Sequence, residues 1–359
     1  MYKRIIIKIG TNVLTGDNGL EDIERFRNIT AQISALKKKG IEVILVSSGA
    51  VAAGRSLVTP PENIRDAVSA RQLLAAVGQV KLINTYVDMF APFSIKCAQV
   101  LVTKEDFRDR KHYLNMRNCF STLLQNNIIP VVNENDVISV TELMFTDNDE
   151  LAGLIASMMD ADALIILTNV DGLYDGNPAD PASKVIQEIS NLEINLSAFV
   201  SAGKSNFGRG GMITKSRMAI KLARTGITVH IANGKRDNIL TDIIKGKSKG
   251  TKFISQMNPS YIKRWIAYSE GYAKGTVYVN EGARQALLNE TASSLLPIGI
   301  TKVDGRFDKG DIIKVADENE GVIALGVAQY GSEKTREVLG KKNQRPVIHY
   351  DYLYINNGI

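Results

Sequence analysis

The residues with the most chemistry to offer lie between Asn133 and Asp149, in the stretch NENDVISVTELMFTDND. Two polar clusters bracket it, Asn133-Glu134-Asn135-Asp136 and Asp147-Asn148-Asp149. Asn and Asp place carbonyl acceptors, amide donors and negative charge in a small volume. Such a set suits a small zwitterion bearing an amine and a carboxylate. The same residue types favour turns, and Asp147 with Glu150 has the spacing of a helix cap. Either cluster alone is explained as well by turn chemistry as by binding. Lys8 and Lys215 form a second candidate pair. Lys215 falls in the first turn of a helix, where it opposes the helix dipole, and a bound phosphate would give it a reason to be there. Two lysines flanking a phosphoryl group in transfer would neutralise its oxygens. The commoner fate of a lysine is the solvated surface.

The elements that must position these residues follow from the hydrophobic pattern. Ile128–Val132 is an apolar run with the length of a buried strand, and ELAGLIASMMDADA has helical periodicity. KRIIIKIG is a strand that delivers Lys8 and Gly10. A helix is expected from about Asp22 to Lys39, closed by Gly40. IEVILVSSGAVAAGR predicts strand, small-residue loop and helix. RQLLAAVGQVKLINTYVDMF predicts a long helix, KCAQVLVT a strand and RKHYLNMRNCFSTLLQNN a helix. ALIILT ends at Thr168-Asn169 before a Gly/Asn/Pro loop. GRGG opens the helix MITKSRMAIKLART, which stops at Gly226, and ITVHIANG is expected as the last strand of this part. Apolar strands alternating with amphipathic helices imply a mostly parallel sheet covered on both faces. In such a sheet, ligands bind at the carboxyl ends of the strands. After about Lys263 the pattern changes to short strands and Gly-rich turns, among them GTVYVN, GITKVDG, DIIKVAD, ALGVAQY and PVIHYDYLYIN. This predicts a small, mainly β domain of about 80–100 residues.

The chain has 359 residues, 44% hydrophobic and 23% charged, the composition of an ordinary globular protein long enough for two domains. No run reaches the apolar length of a membrane span, and the N-terminal IIIKI is too short for a signal peptide. Cys97 and Cys119 lack a CxxC spacing and suit buried thiols in a reducing cytosol. The net charge of +6 concentrates between Lys235 and Arg264, a stretch expected to be a solvated linker. No GxxxxGK[ST] and no GxGxxG occurs, which counts against a P-loop NTPase and the simple dinucleotide fingerprint. What remains for phosphate are Gly10, Ser47-Ser48-Gly49-Ala50 and Gly208-Arg209-Gly210-Gly211, loops whose backbone N–H groups can approach anions. Ser48 is not set in GxSxG. His112, His230 and His349 lack any triad or metal-binding motif, which argues against nucleophilic hydrolysis and a His/Cys metal site.

In this order and spacing, KIGTNVLTG, VSSGAVAAGR, QLLAAVGQ, NENDV, DNDELAG, LTNVDGLY and GGMITK resemble the glutamate 5-kinase branch of the amino-acid kinase family. SSLLPIGI, GRFDKGDIIKV and ALGVAQY are similar to the PUA domain that follows many of these kinases. The resemblance spans nearly the whole chain. It implies a three-layer α/β/α sandwich with a mostly parallel sheet over residues 1–258, a linker over 259–274 and a PUA domain over 275–359. It implies transfer of the γ-phosphoryl of ATP, with Mg²⁺, to the side-chain carboxylate of L-glutamate. The product would be L-glutamyl 5-phosphate, the first intermediate of proline biosynthesis in the cytoplasm. Proline would inhibit, and the chain would form a homo-oligomer, dimer or tetramer.

By the same resemblance, Lys8 and Lys215 would stabilise the transferring phosphoryl and Asp149 would hold both lysines. Ser48, Gly49, Asp136 and Asn148 would bind glutamate. Lys8, Gly10, Thr168, Asn169 and the run Arg209, Gly210, Gly211, Met212, Ile213, Thr214 and Lys215 would line the ATP site. The metal would ride on the ATP phosphates, with few or no protein side-chain ligands. Three positions depart from the commonest family pattern: Thr146 replaces a Gly before DND, Asn169 an Asp after Thr168, and Arg209 a small residue before GG. Relatives acting on acetylglutamate, aspartate, carbamate or UMP are the alternatives within the fold, and NEND with the trailing β domain favours glutamate. RNA binding through the PUA-like segment is the alternative of another class. Acidic and basic residues roughly balance after Gly275, which gives RNA no basic patch there.

Overall fold

The computed structural model describes the chain apart from residues 1, 62–65, 109, 140–144, 146, 179, 194–210, 248, 257–260, 289–292 and 356–359. In chain order, β1 (Arg4–Ile9) leads to α1 (Thr11–Leu14) and α2 (Ile23–Lys38), and β2 (Glu42–Ser47) to α3 (Ala50–Arg55) and α4 (Ala67–Phe90). β3 (Cys97–Val102) is followed by α5 (Lys104–Arg108) and α6 (Arg110–Gln125), and β4 (Ile129–Glu134) by the polar stretch and α7 (Asn148–Met158). Then come β5 (Ala163–Thr168), β6 (Glu188–Ile189), α8 (Met212–Arg224), β7 (Thr228–Asn233), α9 (Ile239–Ile244) and β8 (Thr251–Phe253). Contacts divide the chain into two compact units, Met1–Lys104 with Met116–Asn258, and Glu105–Asn115 with Pro259–Ile359.

The first unit is built on an eight-stranded sheet in the order β3-β4-β2-β1-β5-β7-β8-β6. Its pairings are parallel except for β7 with β8. β1, β2 and β5 bury nearly every side chain, because helices cover both faces. Ile5, Ile7 and Ile9 join Phe26, Ile29 and Ile33 of α2, Leu82 and Tyr86 of α4, and Leu240 of α9 in one core. α7 and α8 pack together, α7 against β1 and β5, and α8 against β7. Asp22 caps α2, Asp66 caps α4 and Asp147 caps α7, each accepting backbone N–H groups. Among the described residues, no helix is long and apolar enough to cross a membrane.

Three expectations for this unit need correction. ITVHIANG is not the last strand of this part, because β8 follows and runs antiparallel to β7. The basic stretch from Lys235 is no solvated linker in its first half. Its lysines point outward, while Ile239, Leu240, Ile243 and Phe253 enter the core. Cys119 is exposed, whereas Cys97 is partly buried and packs against the core, so only Cys119 departs from the expectation of buried thiols.

In the second unit, α10 (Tyr261–Tyr268) occupies part of the segment expected as a linker, with Ile266 and Ala267 buried. β9 (Gly275–Val279), α11 (Glu281–Leu288), β10 (Ile300–Gly305), β11 (Ile312–Ala316), β12 (Val322–Val327), α12 (Ser332–Glu337) and β13 (Leu353–Ile355) follow. Their five-stranded sheet, in the order β10-β9-β11-β12-β13, has its own core around Val277, Val279, Ile313, Val315 and Ile348. PVIHYDYLYIN is not one strand. Tyr350–Tyr352 turns as a 3₁₀ segment, and only Leu353–Ile355 pairs with β12.

α3 and α4 lie against each other through two glycines. A Cβ on Gly78 would stand 1.8 Å from the Ala50 carbonyl oxygen, and one on Gly54 would stand 2.0 Å from that of Leu74. Backbone cannot yield as a flexible side chain can, so Gly78→Ala should cost about 3 kcal/mol or more by overpacking. Gly271→Ala meets nothing within 4 Å and should leave stability nearly unchanged. Thermal unfolding of the two variants side by side measures the difference.

Candidate active site

The carboxyl ends of β1, β2, β4 and β5 gather the polar residues of the sequence. Lys8, near the end of β1, turns its ammonium onto Asp149 in the first turn of α7, with Nζ 2.6 Å from Oδ1. Lys215, in the first turn of α8, reaches the other oxygen, with Nζ 2.7 Å from Oδ2. The Asp149 side chain is 1% exposed and Lys8 7%, so these charges meet with little water to screen them. Burial alone would push the Asp149 carboxyl up. The Lys8 and Lys215 ammonium groups outweigh it and hold the carboxyl below the usual carboxylate range.

Asp147 does what the turn-chemistry reading assigned to it. Its Oδ1 accepts the N–H groups of Asp149 at 2.9 Å and Glu150 at 3.0 Å, so it fixes the start of α7. Burial, then the Asp149 charge, push its own carboxyl up. Asn148 points elsewhere. Its Nδ2 donates to Ser48 Oγ and to Asn133 Oδ1, both at 2.9 Å. The structure thus brings Ser48 and Asn148 together, with Gly49 beside them at φ +111, where an L side chain would be strained. Behind them, the Ser47 hydroxyl lies 2.8 Å from the buried Tyr86 hydroxyl.

Asp136 is also in this region but already has a partner. Arg71 of α4 donates to its Oδ1 from Nη2 at 2.6 Å and from Nε at 3.2 Å. Arg71 and Tyr86 were not among the candidate site residues, and Asn133 was named only as a member of its polar cluster. Arg71 heads the RQLLAAVGQ stretch, and a charge at the start of an otherwise apolar helix was the available signal.

On the other side of Lys8, Gly10 opens α1 and donates its N–H to the Leu167 carbonyl at 3.2 Å. A Cβ on Gly10 would stand 3.6 Å from Lys8 Nζ, so this glycine lies beside the ammonium. Thr168 and Asn169 follow at the end of β5, with Thr168 Oγ1 3.4 Å from Asn169 Oδ1. Asp171, two residues on, accepts from Arg236 at 2.7 and 2.5 Å and from Asn233 at 3.0 Å, and the Arg236 bonds hold its carboxyl low. Gly211 is the N-cap of α8, and Met212, Ile213, Thr214 and Lys215 form a first turn with no acidic residue and no side-chain cap. Such a turn attracts anions. Arg209, Gly210 and Thr146 lie outside the described residues.

No histidine serves this cluster. His230 lies within β7, bonded to the Tyr2 hydroxyl at 2.9 Å, and burial pushes it down to about 4. Among the described residues, no three His, Cys, Asp or Glu side chains gather to hold a metal ion.

Residues 3–233 match the model of the amino acid kinase family, and residues 275–350 match that of the PUA domain. The chain is 52% identical over 357 residues to a glutamate 5-kinase of Bacteroides thetaiotaomicron, covering 99% of both chains. It is 54% identical over 360 residues to one from Chlorobaculum tepidum, covering 99% of this chain and 98% of the relative. Among solved structures, the carbamate kinase from Giardia lamblia bound to AMP-PNP superposes with a TM-score of 0.51 at 20% identity. That match covers 71% of this chain and 99% of the other, and at this identity it speaks to the fold alone.

Because the Asp149 pKa is lowered in the folded chain, its stabilising share is complete above the unfolded value of about 3.9 and is lost as pH falls through the lowered value. Asp149→Asn leaves two ammonium groups without their counter-charge and should cost roughly 3 kcal/mol near neutral pH. The gap between native chain and variant should narrow as pH falls from 6 to 3. Urea unfolding midpoints across that range test this, and a constant gap would contradict it.

Proposed function

Since the chain belongs to the amino acid kinase family, we propose that it transfers the γ-phosphoryl of ATP to the side-chain carboxylate of L-glutamate in the cytoplasm, giving L-glutamyl 5-phosphate for proline biosynthesis. The observation that carries this is the pair of lysines on opposite oxygens of one buried carboxylate, beside the bare first turn of α8. Near-full-length similarity to glutamate 5-kinases supports glutamate as the acceptor.

The geometry fits that chemistry. A carboxylate acceptor is already ionised at neutral pH, so transfer needs alignment and positive charge rather than a general base. Lys8 and Lys215 supply the charge, and Asp149 fixes where it sits. Asn148, held by Ser48 and Asn133, and Asp136 offer groups for the amino-acid end of the acceptor. Gly10, Thr168, Asn169, Gly49 and the α8 first turn, with Arg209 and Gly210 before it, are proposed to receive the nucleotide and its phosphates. Magnesium would be carried on those phosphates and lower their negative charge.

Proline is proposed to inhibit at a site overlapping that of glutamate. The chain is proposed to form a homo-oligomer, dimer or tetramer. The second unit, with residues 275–359 as its PUA domain, is proposed to modulate rather than react, because none of the site residues belongs to it. Glu105–Asn115 groups with that unit, and the Tyr113 ring lies 5.0 Å from that of Trp265. A chain ending near Asn258 keeps the eight-stranded sheet but loses this partner of Tyr113. It should still phosphorylate glutamate, with lower stability and an altered proline response. An inactive truncated chain that remains folded would assign the second unit a part in the reaction.

The acceptor is tested by ADP release in the presence of hydroxylamine with L-glutamate, acetylglutamate, aspartate and UMP. Glutamate should turn over best, and its product should be trapped as γ-glutamyl hydroxamate. Turnover with acetylglutamate and none with glutamate would move the chain to a neighbouring specificity.

A further inference from the structure

We propose that Arg71 determines acceptor specificity: held on Asp136, its guanidinium receives the α-carboxylate of the amino-acid substrate, while Asp136 keeps one oxygen for the α-amine. The inference rests on the glutamate reading above and adds to it the residue that meets the second charge of the zwitterion.

The first support is the geometry of the ion pair. Nε and Nη2 of Arg71 both converge on Oδ1 of Asp136, at 3.2 and 2.6 Å. A guanidinium and a carboxylate can instead pair through two oxygens. Here Oδ2 of Asp136 and Nη1 of Arg71 make no hydrogen bond among the described residues, so the pair retains one acceptor and one donor. The acid is buried at 7% exposed, whereas the arginine is 33% exposed and therefore still reachable.

The second support is position. α4 is fastened along the end of β4, with Gln72 Nε2 donating to the Val137 carbonyl at 2.6 Å and Gln79 Nε2 to that of Glu134 at 3.3 Å. Its Gly78 presses on the Ala50 carbonyl, at the start of the helix that follows Ser48 and Gly49. These contacts bring Arg71 to the same strand ends that hold Asn133, Ser48 and Asn148.

The third support is charge. The acceptor carries an amine, an α-carboxylate and the carboxylate to be phosphorylated. Lys8 and Lys215 are engaged with Asp149, and Asn133, Asn148 and Ser48 are neutral. Asp136 matches the amine. A buried α-carboxylate also needs a partner, and among the described residues Arg71 is the cation paired with Asp136. Its planar fork suits a carboxylate better than a lysine would.

The competing role is a fastener that merely orients Asp136. L-Glutamate and its α-amide separate the two roles, because the amide keeps the amine and the reacting carboxylate but lacks the α-charge. Arg71→Met should raise the glutamate KM roughly tenfold to hundredfold, the scale of one charged hydrogen-bonded contact. The ATP KM and kcat should stay nearly constant, and kcat/KM for the α-amide should hardly change. Arg71→Lys should recover part of the loss. Gln72→Ala, which removes the neighbouring contact without touching charge, should leave the glutamate KM within about twofold, and thermal unfolding confirms that each variant is folded. An equal loss for glutamate and its α-amide, or an Arg71→Met variant no worse than Gln72→Ala, would overturn the proposal. Absence of glutamate turnover in the unaltered chain is the separate result that would overturn the parent reading.

Discussion

One carboxylate holding two ammonium groups is the constraint on which the rest of the site depends. Asp149 sits almost without solvent, with Lys8 on one oxygen and Lys215 on the other. A carboxylate or ammonium taken out of water alone is costly, and a buried pair survives only with good geometry. The trio therefore fixes three elements against one another: the end of β1, the start of α7 and the start of α8. The trio itself carries one more positive than negative charge, which suits an anion between the lysines. A transferring phosphoryl group is such an anion, and its charge is spread over several oxygens at the point where stabilisation counts most.

The parallel sheet explains why these three elements can meet. Strands β1, β2, β4 and β5 all finish at one edge, and each is followed by a loop that needs hydrogen-bonding side chains. Lys8 is in register with Val46 of β2 and Ile166 of β5, so it rises from the middle of the sheet between apolar neighbours. Its side chain is nearly buried, and its tip meets Asp149. Asp147 contributes by capping α7, which sets the direction in which Asn148 and Asp149 leave the backbone. Cap and site are consecutive residues with different tasks.

Much of this was legible in the residues. Lys8 stood out as a lysine at a strand end, Lys215 as a lysine opposing a helix dipole and Asp149 as part of a polar cluster before a helix, while the family resemblance joined the three in one site. The alternation of strand and helix was legible for the same reason that the sheet is parallel, since both faces need cover. Other features were hidden. The ion pair of Arg71 with Asp136 joins residues 65 positions apart, a separation that no local pattern reveals. The stretch after Lys235 looked solvated because its lysines mask Ile239, Leu240 and Ile243, which face the core at helical spacing. Leu353–Ile355 forms a strand while the residues just before it turn, because His349 accepts the Asp351 N–H and ends the extended run.

The central claim is that Asp149 positions two lysines for a charge that is greatest in the transition state. Lys215→Ala with its kcat and its ATP dissociation constant tests this most directly. Loss of one preorganised charge should lower kcat by roughly 10²–10³ while nucleotide binding weakens far less. A Lys215→Ala chain that keeps near-normal kcat would contradict it, and Lys215 would then be a lysine that merely neutralises a buried acid.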